Sequence, residues 1–166
     1  MKMNNSFTYV EDTIDRIAAT HPSTNKKRVV VARLFHHITP RLTSYLNEQL
    51  KPFGLYEATW LSLLALYAHE EHVQSPTDLS EVLDASRTSA TRVADELVKN
   101  GWVARTWCDQ DRRKVILTLT PAGHELINTV IPALQKQFAA LWADFEPDEL
   151  ALFEGLMRKL LSRLGG

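Results

Sequence analysis

The stretch SPTDLSEVLDASRTSATRVADELVKNGWVAR, residues 75–105, contains two helix starts and one helix stop. Ser75 before Pro76 predicts an N-cap: the hydroxyl accepts a backbone N–H while proline takes the first helical position. Asp78 suits the positive start of the short helix that follows, about Thr77 to Leu83. Asp84-Ala85-Ser86 makes a turn, and Ser86 caps a second helix running to Asn100. Gly101 is placed to take the left-handed conformation that closes it. On this second helix Ala90, Val93, Ala94 and Leu97 fall on one stripe, which is predicted to be buried. Arg87, Thr88, Thr91, Arg92 and Asp95 are left pointing outward. Short helix, turn and capped helix together read as a helix-turn-helix.

Directly downstream the pattern changes to β. Trp102 to Trp107 and Val115 to Leu119 are strand-like, the second alternating Val115, Leu117 and Leu119. Between them Cys108-Asp109-Gln110-Asp111-Arg112-Arg113-Lys114 forms a polar hairpin tip, so the helix-turn-helix is winged. Upstream, the first residues read as a loose arm with a turn of helix around Tyr9 to Ala19. Arg28 to Leu50 is a long helix with Val30, Leu34, Ile38, Leu42 and Tyr45 on one face; Pro40 predicts a kink or a break in it. Pro52 and Gly54 stop it, and Glu57 to Glu70 is again helical. Thr120-Pro121 begins a helix to about Trp142, and Glu146-Pro147-Asp148-Glu149 begins the last one. The fold class is mainly α with a small β-hairpin.

The outward residues have the chemistry of a duplex reader. Arginine donates two bonds to a guanine edge, and threonine offers a hydroxyl or a methyl group. Ser86 and the helix N-terminus suit a phosphate. Arg112-Arg113-Lys114 puts three cations on a projecting ribbon, where a narrow minor groove attracts arginine. A polar helix face or a charged turn alone is also what any solvated surface shows. The rival reading is a winged helix used for protein interaction without DNA, but it gives Arg87, Arg112 and Arg113 no reason to point outward together.

SRTSATRVADELVKNGWVAR (Ser86 to Arg105) followed by DRRKVILTLTPAGHEL (Asp111 to Leu126) resembles the MarR family of winged-helix transcription regulators. Within that family the likeness is greatest to the EmrR/MprA type, repressors of multidrug efflux genes. The resemblance implies a homodimer and a pseudo-palindromic operator on double-stranded DNA. It divides the chain into an arm (1–25), a winged helix-turn-helix DNA-binding lobe (55–120) and a helical dimerisation lobe (26–54 and 121–166). Leu150, Phe153, Leu156, Met157, Leu160, Leu161 and Leu164 independently give the last helix more apolar surface than a lone terminal helix needs. Carried over residue by residue, the DNA contacts are Ser86, Arg87, Thr88, Thr91 and Arg92 in the major groove. Arg112 or Arg113 enters the minor groove, with Lys114 beside them. The family responds to small phenolic or lipophilic anions, and His36, His37, Trp60 and Tyr67 lie where such an effector pocket forms. Redox-sensing members carry a reactive cysteine on the first helix; this chain has none there.

Composition excludes other classes. With 166 residues, 45% hydrophobic and 23% charged, the chain is neither disordered nor too short for a core. No run of about 18 apolar residues occurs, so no membrane partner is expected. The opening MKMNNSFTYVEDTIDRI lacks an apolar signal core, and the single Cys108 makes no internal disulfide; both fit the cytoplasm. There is no G-x-G pair, no P-loop and no recognisable Ser/His/Asp set, so neither a cofactor nor catalysis is expected. His69-Glu70-Glu71-His72 has i,i+3 spacing rather than H-E-x-x-H, and no metal site is expected. The net charge of -1 averages opposed regions: Asp144, Glu146, Asp148, Glu149 and Glu154 load the carboxyl-terminal part with acid. Arg87, Arg92, Arg112, Arg113 and Lys114 gather on two adjacent elements, so the local field is basic although the total is not.

Overall fold

A computed structural model describes residues 7–69, 73–107 and 115–165. The elements run α1 (Thr8–Thr20), α2 (Lys26–Leu50), a short 3₁₀ turn (Lys51–Phe53), α3 (Glu57–Ala68), β1 (Val73–Gln74), α4 (Pro76–Val82) and α5 (Arg87–Lys99). They continue with β2 (Val103–Trp107), β3 (Val115–Leu119), α6 (Pro121–Leu141) and α7 (Pro147–Leu164). The chain divides into two compact units, Met1–Trp60 and Leu61–Gly166.

In the first unit, the expected turn of helix near the amino terminus is a full helix. Phe7 and Ile14 are buried, α1 packs on α2, and Lys26 pairs with Asp15. Those two apolar residues lie seven apart, the spacing that returns to one face after two helical turns. Asn25 caps α2 by accepting the Arg28 N–H at 3.1 Å, which moves the helix start ahead of Arg28. The helix runs through Pro40 without breaking. It ends where Gly54 takes a φ of 73°, and the Asn47 side chain then accepts the Glu57 N–H at 2.7 Å, satisfying a donor at the start of α3.

The second unit is built around the winged helix-turn-helix. Ser75 accepts the Asp78 N–H at 3.2 Å while the Asp78 carboxylate accepts the Ser75 N–H at 2.7 Å, a reciprocal cap that starts α4. α4 packs on α5, α5 on β2, and α4 on β3. The sheet has the order β1-β3-β2, antiparallel throughout. β1 was not expected: two residues are too few to show an alternating pattern, and their strand character comes from pairing with Leu117 and Thr118 of β3. Leu63, Leu66, Leu79, Leu97, Val103, Leu117 and Ile127 are among the buried side chains of this unit.

Thr120 joins β3 to α6. Its hydroxyl accepts the Gly123 N–H at 3.1 Å and donates to the Gly101 carbonyl at 2.8 Å, while its own N–H donates to the Trp102 carbonyl at 3.0 Å. One side chain thus caps α6 and ties it to the stop of α5. Gly123 completes this junction, since a Cβ there would strike the Trp102 carbonyl oxygen and lie 2.7 Å from Leu119 Cδ1.

Candidate nucleic-acid interface

Ser86 caps α5, accepting the Ser89 N–H at 3.2 Å, and Gly101 closes its far end with a φ of 77°. Asn100 is the C-cap, one residue beyond the last helical position. Ala90, Val93, Ala94 and Leu97 are all buried, as the spacing predicts. Ser86, Arg87, Thr88, Thr91, Arg92 and Asp95 are all exposed. Burying one stripe fixes the rotation of the helix, so the two arginines and two threonines gather along its amino-terminal half.

The electrostatics of this end favour an anion. The N–H groups of Arg87 and Thr88 have no carbonyl partner within their own helix. The first turn of α5 carries no acidic residue, whereas those of α3, α4 and α7 do. The positive end of the α5 dipole is therefore left uncompensated by its own first turn. Thr91 uses its hydroxyl proton on the Arg87 carbonyl at 2.9 Å. Its oxygen lone pairs and methyl group remain for a base edge, so it reads as an acceptor or an apolar contact rather than as a donor.

One link was not foreseen from the sequence. Arg105 on β2 donates to the Asp95 carboxylate on α5, with N···O 2.7 Å, joining the helix to the strand that leads into the wing. The signal was present: Val103 and Arg105 share a strand face, and Val103 packs inward, so Arg105 must lean toward the same helix. The pair is partly exposed, and such pairs contribute at most about 1 kcal/mol to stability; its effect is on orientation.

Arg112, Arg113 and Lys114 lie outside the described residues, as do Cys108 and His72. Of the residues expected around an effector, His36 is exposed and Trp60 is buried. The His37 ring meets Phe7 edge-on at 5.2 Å, and Tyr67 meets His124 edge-on at 5.7 Å. Among the described residues no cluster of His, Cys, Asp and Glu is arranged to hold a metal ion, and no helix is long and apolar enough to cross a membrane.

Residues 55–115 match the MarR family model, a span that includes the helix-turn-helix and reaches the start of β3. The transcriptional repressor MprA of Escherichia coli K12 is 38% identical over 162 residues, covering 98% of this chain and 92% of that protein. The regulator PrsX of Escherichia coli is 30% identical, covering 98% and 97%. Among solved structures, the C80S mutant of MarR from E. coli complexed with operator DNA superposes with a TM-score of 0.72 at 28% identity. That match covers 84% of this chain and 99% of that one. These relatives are transcription regulators and not enzymes. The chain belongs to the MarR family of DNA-binding transcriptional regulators.

Proposed function

We propose that this protein is a dimeric repressor that binds a pseudo-palindromic operator and is released by a small phenolic or lipophilic ligand. The observation that carries the DNA-binding part is α5: a capped helix with a buried stripe, two exposed arginines at its amino-terminal half and no acid in its first turn. Ser86 and the first-turn N–H groups take a phosphate, while Arg87, Thr88, Thr91 and Arg92 face base edges of the major groove. The wing cations Arg112, Arg113 and Lys114 track the adjacent minor groove. MprA, similar along nearly the whole chain, is named a repressor, which supports repression as the output. DNA binding places the working protein in the cytoplasm.

Dimerisation is supported by α7, none of whose residues is buried in the single chain although it presents Leu152, Leu156, Leu160 and Leu164. A second copy covers that surface and sets two recognition helices about one duplex turn apart. Effector binding, with His36, His37, Trp60 and Tyr67 as the residues to test, favours a dimer whose helices are spaced wrongly for successive major grooves. Linkage then requires ligand and operator to weaken each other's binding by the same factor. Titrating salicylate-like phenols and uncouplers into the operator complex should release the DNA; no release by any member of the panel removes the ligand reading.

The decisive experiment compares Arg87→Ala with Arg113→Ala on specific and random duplexes at several salt concentrations. Arg87→Ala should cost about 1–3 kcal/mol and relax base preference at one position. Arg113→Ala should weaken binding to all sequences and lower the salt slope by about one. Absence of duplex binding by the wild type at low salt would return the chain to the rival reading, a protein-interaction module.

A further inference from the structure

We propose that Trp107 is a further duplex contact, its indole packing on a deoxyribose of the operator backbone while its N–H donates to a phosphate oxygen. The proposal rests on the reading that α5 and the wing face DNA. In the β2–β3 ladder Val103 opposes Leu119, Arg105 opposes Leu117, and Trp107 opposes Val115. Side chains alternate along a strand, so Val103, Arg105 and Trp107 share one face. That face is the inner one, because Val103, Leu117 and Leu119 are buried. Two residues further along, Arg105 leans from it to Asp95 on α5. Two residues beyond that the core has run out, and Trp107 is 62% exposed on the same side of the sheet as the recognition helix.

An isolated exposed apolar side chain needs no explanation by itself. Position and surroundings set this one apart. It continues the strand face that the ion pair ties to α5, and its neighbours on β2, Arg105 and Thr106, are polar and exposed. With Val115 as its cross-strand partner and polar neighbours along β2, the indole offers too little apolar surface to seat an apolar protein face. It matches a nucleic-acid backbone, which offers a flat apolar sugar beside acceptor oxygens. Tryptophan has an apolar body and one donor with no acceptor, which complements that pair of groups. Such a contact fixes register without reading sequence. It also displaces no condensed counterion, so it separates from arginine contacts by its salt behaviour.

The test uses the full-length protein and a 30-base-pair duplex that the wild type selects from a randomised pool. Trp107→Ala should weaken binding about tenfold at every salt concentration, with the salt slope unchanged and the melting temperature close to wild type. Trp107→Phe should recover part of the loss, since it keeps a ring and lacks the N–H. A direct readout comes from 5-fluorotryptophan labelling of the four tryptophans, with the Trp107 resonance assigned by its loss in Trp107→Phe. That resonance should move on adding duplex. A Trp107→Ala affinity within about twofold of wild type, a loss accompanied by a changed salt slope, or a Trp107 resonance that duplex leaves in place would each overturn the proposal. A wild type that selects no duplex would overturn it together with the DNA reading beneath it, an outcome distinct from the other three.

Discussion

Gly123→Ala is expected to lower the melting temperature by about 4–8 °C, although alanine is the better helix former. The gain in propensity is about 1 kcal/mol. Against it stands a methyl group driven onto the Trp102 carbonyl oxygen and to 2.7 Å from Leu119 Cδ1. The carbonyl is held in place, since it accepts the Thr120 N–H at 3.0 Å at the junction of β3 and α6. Relief therefore requires α6 to back away from the end of α5, at a cost of about 3 kcal/mol or more. The net loss is about 2 kcal/mol, and each kcal/mol corresponds to about 2–4 °C in a chain of this size. Gly155→Ala on α7 is the control: a Cβ there meets nothing within 4 Å, so the same substitution should leave stability unchanged or raise it. Thermal melts of both variants at one protein concentration decide the matter, and equal behaviour of the two would refute the packing argument.

Leu156→Glu is expected to convert the proposed dimer into monomers and with it to abolish tight operator binding. Leu156 is 57% exposed on a helix of 18 residues that buries none of its own side chains. Most helical stability in proteins comes from packing an amphipathic face rather than from propensity. Full burial of a leucine contributes about 1.5–3 kcal/mol, and twofold symmetry counts the change twice. Because 57% of Leu156 is left for a partner to cover, the dimer should weaken by about 2–3.5 kcal/mol before any cost of burying the carboxylate, or roughly one to two and a half powers of ten in Kd. Sedimentation velocity at micromolar concentration should show monomer for the variant and dimer for the wild type. Affinity for a single half-site should be retained, because α5 is untouched. A variant that sediments as the wild type does would remove α7 from the interface.

How far each feature could be read from the sequence depends on how local its physics is. The caps of α4, α5 and α6 are short-range bonds between residues three apart, and Ser75, Ser86 and Thr120 each announce one. The buried stripe of α5 follows from helical periodicity and matches at all four positions. The winged helix-turn-helix and the exposed polar face of α5 were therefore legible before any coordinates. Features that depend on a distant partner were not. β1 exists because β3 lies beside it, and α1 is a full helix because Phe7 and Ile14 find cover within its unit. Asp95 and Arg105, ten positions apart, meet only because α5 and β2 pack. Gly123 likewise has an ordinary helical place, and its necessity lies in the Trp102 carbonyl, 21 positions away in the sequence. Sequence alone determined which residues of α5 are buried and which are left exposed, since that is set by period and cap. Tertiary structure decided what holds them there and how far the inner face of the wing extends, since close approach is a property of packing and not of pattern.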